Sequence, residues 1–196
     1  MTNPTKSRRT PPKARRDRAE PRRSGWLWVS FLVPLVAIAL LVIAGQGDPG
    51  ASMEEGVAPG FDLPDTQGRT VSLDAILQQG DALLYFSMGV GCDGCFAQIP
   101  EAIEGLQARG LQLVPVMVDS ATRVAAEASR FGITTPILID GSREVSEAYG
   151  MLGVYGHSDR PSHSFALVHR DGTIGWVKHY STMFVPLDQL LSDMGA

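Results

Sequence analysis

The sequence predicts an α/β fold, a central mixed sheet flanked by helices, preceded by one membrane-spanning helix. Three observations carry this. Apolar strand-like runs alternate with helical ones over residues 82–149. A C-x-x-C stands at one strand-to-helix junction, Cys92-Asp93-Gly94-Cys95, and holds both cysteines of the 196-residue chain. An uncharged run, Trp26 to Ala44, separates a basic tail from a Gly/Pro-rich stretch.

Four segments are expected: a tail (1–24), a membrane anchor (25–45), a linker (46–58) and a domain (59–196). The formal charge of −4 hides an asymmetry. The tail carries nine Lys/Arg against Asp17 and Glu20, giving +7, and the remaining eight basic and nineteen acidic residues give −11. Its Pro/Arg/Lys composition predicts disorder. The acidic remainder argues against nucleic-acid binding by the folded part. The nineteen residues from Trp26 to Ala44 would span about 28 Å as a helix, close to a hydrocarbon core of about 30 Å. Trp26 and Trp28 suit the interface, and the basic flank predicts a cytoplasmic N-terminus with the domain on the outer side of the cell membrane. The rival reading is a signal peptide cleaved near Val42-Ile43-Ala44, although its apolar stretch is longer than usual. Gly45 to Gly60 has a linker's composition.

Within the domain, Phe61–Pro64 and Thr70–Leu73 read as short strands around a turn, followed by a helix capped by Asp74 and running through Gln79. Ala82–Ser87 is apolar throughout, as expected of a strand buried on both faces. A helix follows the cysteines to Gly110, with Ile99, Ile103 and Leu106 toward the core and a kink expected at Pro100. Leu111–Val118 is the next strand, with a bulge expected at Pro115. Ser120–Phe131 reads as a helix capped by Asp119 or Ser120. Thr135–Ile139 reads as a strand, and a helix from Asp140 or Ser142 runs through Tyr149. His163–His169 and Thr173–Lys178 flank Asp171-Gly172 as a hairpin. Pro186–Met194 reads as a closing amphipathic helix.

The C-x-x-C carries the chemistry. Residues three apart at a helix start share a face, so the two sulfurs can meet. The first cysteine lies among unpaired N–H groups at the positive end of the helix dipole, and both favour thiolate. Cys92 is therefore the expected nucleophile and Cys95 the resolving partner. A purely structural disulfide would restrain little, because the loop is short. Zinc would require two further Cys/His ligands at suitable spacing, so no metal is expected. His157, His163, His169 and His179 show no such spacing.

From Pro59 onward the chain resembles the thioredoxin-like superfamily. Within it the chain is similar to the redoxin group, which includes the alkyl hydroperoxide reductase/thiol-specific antioxidant family and membrane-anchored thiol–disulfide oxidoreductases. The residues that carry this are Pro59–Asp65 with Gly68–Leu73, the C-x-x-C, Pro100 five residues after Cys95, Ile139-Asp140 with Val145–Gly150, and Asp171-Gly172. The resemblance implies a thioredoxin fold with a strand and helix inserted after the second core strand. It also implies site-shaping roles for Gly91, Asp93, Gly94, Pro100, Pro161 and His163. Gly91 stands where Trp is common, Asp93-Gly94 where Pro is common, and Asp93 should oppose thiolate formation unless it faces solvent. Pro161 is the candidate cis-proline, with His163 as the other occupant of that place and a candidate for proton transfer.

The implied activity is membrane-tethered, extracytoplasmic thiol–disulfide exchange on protein substrates, with electrons passed to or from another thiol protein. A redox-active disulfide serves in place of a cofactor. The first alternative is a peroxiredoxin-like thiol peroxidase, although neither cysteine carries the P-x-x-x-(T/S)-x-x-C pattern. The second is a copper- or protein-binding module.

Overall fold

The structure, a computed structural model, describes residues 56–195. The expected basic tail, membrane span and most of the linker lie outside the described residues. Among those described, no helix is long and apolar enough to cross a membrane.

The domain is built on strand β3 (Ala82–Ser87), every residue of which is buried. Alternation along a strand sends Leu83 and Tyr85 to one face and Ala82, Leu84 and Phe86 to the other. A strand that is apolar on both faces needs a layer on each, and the chain supplies them. Helices α2 (Asp93–Gln107), α3 (Ala121–Arg130) and α5 (Leu187–Met194) cover the Leu83/Tyr85 face through Phe96, Ile99, Leu106, Val124 and Leu190. The opposite face is closed by the small sheet of β1 (Asp62–Pro64) and β2 (Thr70–Ser72), by α1 (Leu73–Leu77), and by Tyr149 and Met151 just after α4 (Glu144–Ala148). Each fully buried Leu or Phe of these layers contributes about 1.5–3 kcal/mol of transfer free energy.

The main sheet has the order β5-β4-β3-β6-β7. Strands β4 (Gln112–Met117) and β5 (Leu138–Ile139) run parallel to β3, and β6 (His163–Val168) and β7 (Ile174–Tyr180) complete it with antiparallel pairing. The sheet is therefore mixed and flanked by helices, as expected.

Local expectations needed correction. Pro115 makes no bulge: β3 and β4 pair in continuous register from Ala82↔Gln112 to Ser87↔Met117, and β5 pairs only with Val116 and Met117. The irregularity lies instead between β6 and β7 at Leu167/Val168. Ser72, not Asp74, caps α1, its hydroxyl accepting from the Ala75 N–H. Ser120 is the N-cap residue of α3, as one of the two expected, but its side chain makes no cap bond, and the Asp119 carboxylate is engaged elsewhere. Helix α4 begins at Glu144, and Asp140 reaches forward to accept from the Ser146 N–H and hydroxyl, both at 2.7 Å. Helix α2 does run through Pro100, as expected. No cis peptide bond occurs among the described residues, so Pro161 is not a cis-proline; the trans form is the lower in energy by about 0.5–1 kcal/mol even before proline.

Candidate functional site

The two cysteines lie at the carboxyl end of β3, where parallel strands deliver their loops. Cys92 is the N-cap of α2 and Cys95 lies one turn in. Their Cα atoms are 5.3 Å apart, and the sulfurs are joined as a disulfide. The Cys92 sulfur also accepts from the Cys95 N–H at 3.2 Å, as expected at a helix start with unpaired donors. Cys92 is 5% exposed and Cys95 fully buried, so Cys92 is the sulfur nearer to solvent.

The flanking glycines have local causes. Gly91 has φ +100°, a conformation that L side chains rarely adopt, so a Trp would be strained there. A Cβ on Gly94 would stand 2.6 Å from the Met183 carbonyl oxygen, because the 181–186 segment lies across the first turn of α2. Asp93 is exposed, where solvent weakens its field on the cysteines. Pro100 is also exposed and lies more than a turn beyond Cys95. Pro161 is buried at the approach to β6.

Beneath the disulfide lies a polar cluster in an otherwise apolar layer. Tyr85, Gln98 and His163 are each 0% exposed. The Tyr85 hydroxyl is 3.1 Å from the Cys95 carbonyl oxygen and 2.9 Å from His163 Nδ1. His163 Nε2 is 3.2 Å from Gln98 Oε1, which also accepts from the Val185 N–H at 2.7 Å. Burial pushes the Tyr85 phenol well above its usual range and lowers His163 to about 4.

A second cluster fixes the loop before Cys92. Asp119, at the end of β4, accepts from Arg160 on both oxygens (2.8 and 3.0 Å), from Arg123 and from the Val90 N–H. Arg160 also donates to the Met88 carbonyl at 2.8 Å. Burial opposes ionisation of Asp119, but the Arg160 and Val90 hydrogen bonds and the two guanidinium charges outweigh it and hold its carboxyl below the usual range. Gly89 permits the approach: its φ is +79°, and a Cβ there would meet Asp119 Oδ2 at 2.5 Å.

The structure thus brings Cys92, Cys95, Gly91, Asp93, Gly94 and His163 to one end of the sheet. Sequence reasoning missed Tyr85, Gln98, Asp119, Arg160 and Met183. One signal was readable: Gln98 interrupts the buried stripe Cys95, Phe96, Ile99, Ala102 and Leu106. Among the described residues no group of three His, Cys, Asp or Glu side chains could hold a metal ion.

The profile of the AhpC/TSA family matches residues 55–177, more than half of the sequence. The chain belongs to the AhpC/TSA family. Two kinds of relative accompany this AhpC/TSA protein. It is 29% identical over 132 residues to the thiol-disulfide oxidoreductase ResA of Bacillus subtilis, covering 65% of this chain and 70% of that one. It is 33% identical over 99 residues to a Mycobacterium tuberculosis protein named as a peroxiredoxin, covering 49% of this chain and 62% of that one. The aligned part is thus less than two thirds of the mycobacterial relative. Among solved structures, peroxidoxin BcpB of M. tuberculosis superposes with a TM-score of 0.62 at 20% identity, over 73% of this chain and 96% of that one. That likeness shows the thioredoxin-like fold.

Proposed function

We propose that this AhpC/TSA protein is a thiol–disulfide oxidoreductase acting on protein thiols and disulfides, tethered to the cell membrane by residues 25–45 with its domain on the extracytoplasmic side. The observation that carries the activity is the Cys92–Cys95 pair, with Cys92 at the N-cap of α2 and Cys95 one turn behind it. In the oxidised form, a donor thiolate attacks the Cys92 sulfur. The disulfide breaks, its electron pair leaves on Cys95, and a mixed disulfide joins Cys92 to the donor; a second donor thiol then releases Cys92. The reverse sequence reduces a substrate disulfide. The likeness to ResA supports this reading, and the two sulfurs are the only redox group it needs.

The test is equilibration of the full chain in graded glutathione and dithiothreitol buffers with thiol counting. A reversible two-thiol couple is expected, with Cys95→Ala trapping a mixed disulfide on Cys92. Failure of Cys92 and Cys95 to open and close together would sink the dithiol mechanism.

The peroxiredoxin-named relative favours a second reading, thiol peroxidase. Rapid single-turnover oxidation of the reduced protein by hydroperoxide, with little insulin-disulfide reduction, would move the assignment there.

A further inference from the structure

We infer that the Asp119–Arg160 ion pair is a positioning device for thiol exchange: by pinning the loop of residues 88–91 it keeps Cys92 where its sulfur closes on Cys95, and so favours the disulfide over the dithiol. This deepens the reading of Cys92–Cys95 as a working redox pair and rests on it.

The loop between β3 and Cys92 is poorly suited to hold itself. It reads Met88-Gly89-Val90-Gly91, and both glycines stand at positive φ, +79° and +100°. Glycine has more backbone freedom to lose than any other residue. Two bonds from outside restrain the loop. Arg160 Nη1 donates to the Met88 carbonyl at 2.8 Å, and the Val90 N–H donates to Asp119 Oδ2 at 2.8 Å. Between these two points the Gly89 carbonyl accepts from the Cys92 N–H at 3.1 Å. The clamp therefore reaches the Cys92 backbone directly along the chain and through one peptide hydrogen bond.

The pair is built for direction. Arg160 donates to the two Asp119 oxygens from separate nitrogens, at 2.8 and 3.0 Å, and the first of these nitrogens also serves Met88. A planar guanidinium fork permits this, and a lysine ammonium does not reproduce it. Asp119 is 5% exposed. A buried ion pair adds little net stability over apolar residues of the same volume, so what this one contributes is the geometry it imposes on the loop.

The consequence is a linkage between clamp and disulfide. In the oxidised protein the S–S bond itself ties Cys92, the cap residue of α2, to Cys95 one turn in. In the dithiol that tie is gone, and helix ends fray. With the loop clamped, Cys92 stays in place and the two thiols meet at high effective concentration. With the loop released, the dithiol gains freedom that the disulfide cannot, and the equilibrium moves toward the dithiol. Clamp and disulfide thus stabilise each other by the same factor. A purely electrostatic action of Arg160 has the opposite sign: removing a cation near Cys92 disfavours its thiolate and hence the reduced form.

The test equilibrates the full chain in detergent micelles with graded ratios of reduced to oxidised dithiothreitol and counts thiols. It compares the wild type with Arg160→Gln and with the milder Arg160→Lys, which keeps the charge and loses the fork. Hydrogen exchange of the Val90 amide reports release of the loop. The expected result is faster exchange and an equilibrium at least about fivefold further toward the dithiol in Arg160→Gln, with a smaller shift in the same direction in Arg160→Lys. An unmoved equilibrium in both variants overturns the positioning role and leaves the ion pair a structural contact. A shift toward the disulfide in Arg160→Gln overturns it in favour of charge. Either result leaves the proposed function standing, whereas a wild-type disulfide that no dithiol opens overturns both.

Discussion

At the scale of single residues, His163 makes stability depend on pH with an unusual sign. In the disulfide form its pKa falls from 6.5 to about 4 on folding, because burial disfavours the cation. As pH drops below about 6.5 the unfolded chain gains a proton that the folded chain refuses. Stability is therefore lost between about pH 6.5 and pH 4, by roughly 3 kcal/mol in total, and the loss stops once both forms are protonated. Urea midpoints of the oxidised protein across that range should show the decline, and His163→Gln should remove it. Asp119 has the usual carboxylate sign: its lowered pKa gives stability above about pH 4 that is lost only under stronger acid. The His163 window lies above that of Asp119 and of other lowered carboxylates, among them Asp65, Asp81 and Asp193, so His163→Gln is what isolates it. Glycines give a second contrast. Gly89→Ala meets both a positive φ and Asp119 Oδ2, and should cost about 1–3 kcal/mol. Gly60→Ala meets no atom within 4 Å and should stay within about 0.5 kcal/mol in thermal unfolding.

Among elements, the decisive contacts join loops that are far apart in sequence. Arg160 comes from the approach to β6, Asp119 from the end of β4, and the loop they hold from the end of β3. Asp119→Asn weakens the ion pairs and should destabilise the domain by about 2–3 kcal/mol. Exchange of the Val90 amide, which Asp119 accepts at 2.8 Å, should quicken; an unchanged rate would mean the loop holds itself. The same long range explains what was legible in the sequence. β3 was readable to its end residues because a doubly buried strand is written as one apolar run. The cysteines were readable because spacing alone brings them within bonding distance. Pro115 was misread because local rules assign it a bulge, whereas β3 and β4 pair in continuous register across it. The parts that Asp119, Arg160 and Met183 play at the site have no local pattern: the partners concerned lie 29, 72 and 89 positions away (Val90, Met88 and Gly94).

For the whole molecule, the proposed anchor makes its own prediction. The full chain should sediment with membranes and resist salt extraction, while a chain begun near residue 50 should not; equal release of both would remove the tether. The site itself does not require that anchor, since both cysteines and every residue that contacts them in the described network fall between Tyr85 and Val185.

The chain enters the domain beside the β6–β7 turn, where Val57 bridges Thr173 and the Ala58 N–H donates to the Gly172 carbonyl. Register places that turn at the Ala82 end of β3, and the cysteines follow the Ser87 end. Residue 56 therefore joins the domain at one pole of the sheet and the cysteines lie at the other. A reporter or carrier protein fused before residue 56 should leave thiol exchange unhindered. The closing helix α5 packs against the helix that bears the cysteines, with Leu187 beside Gly105.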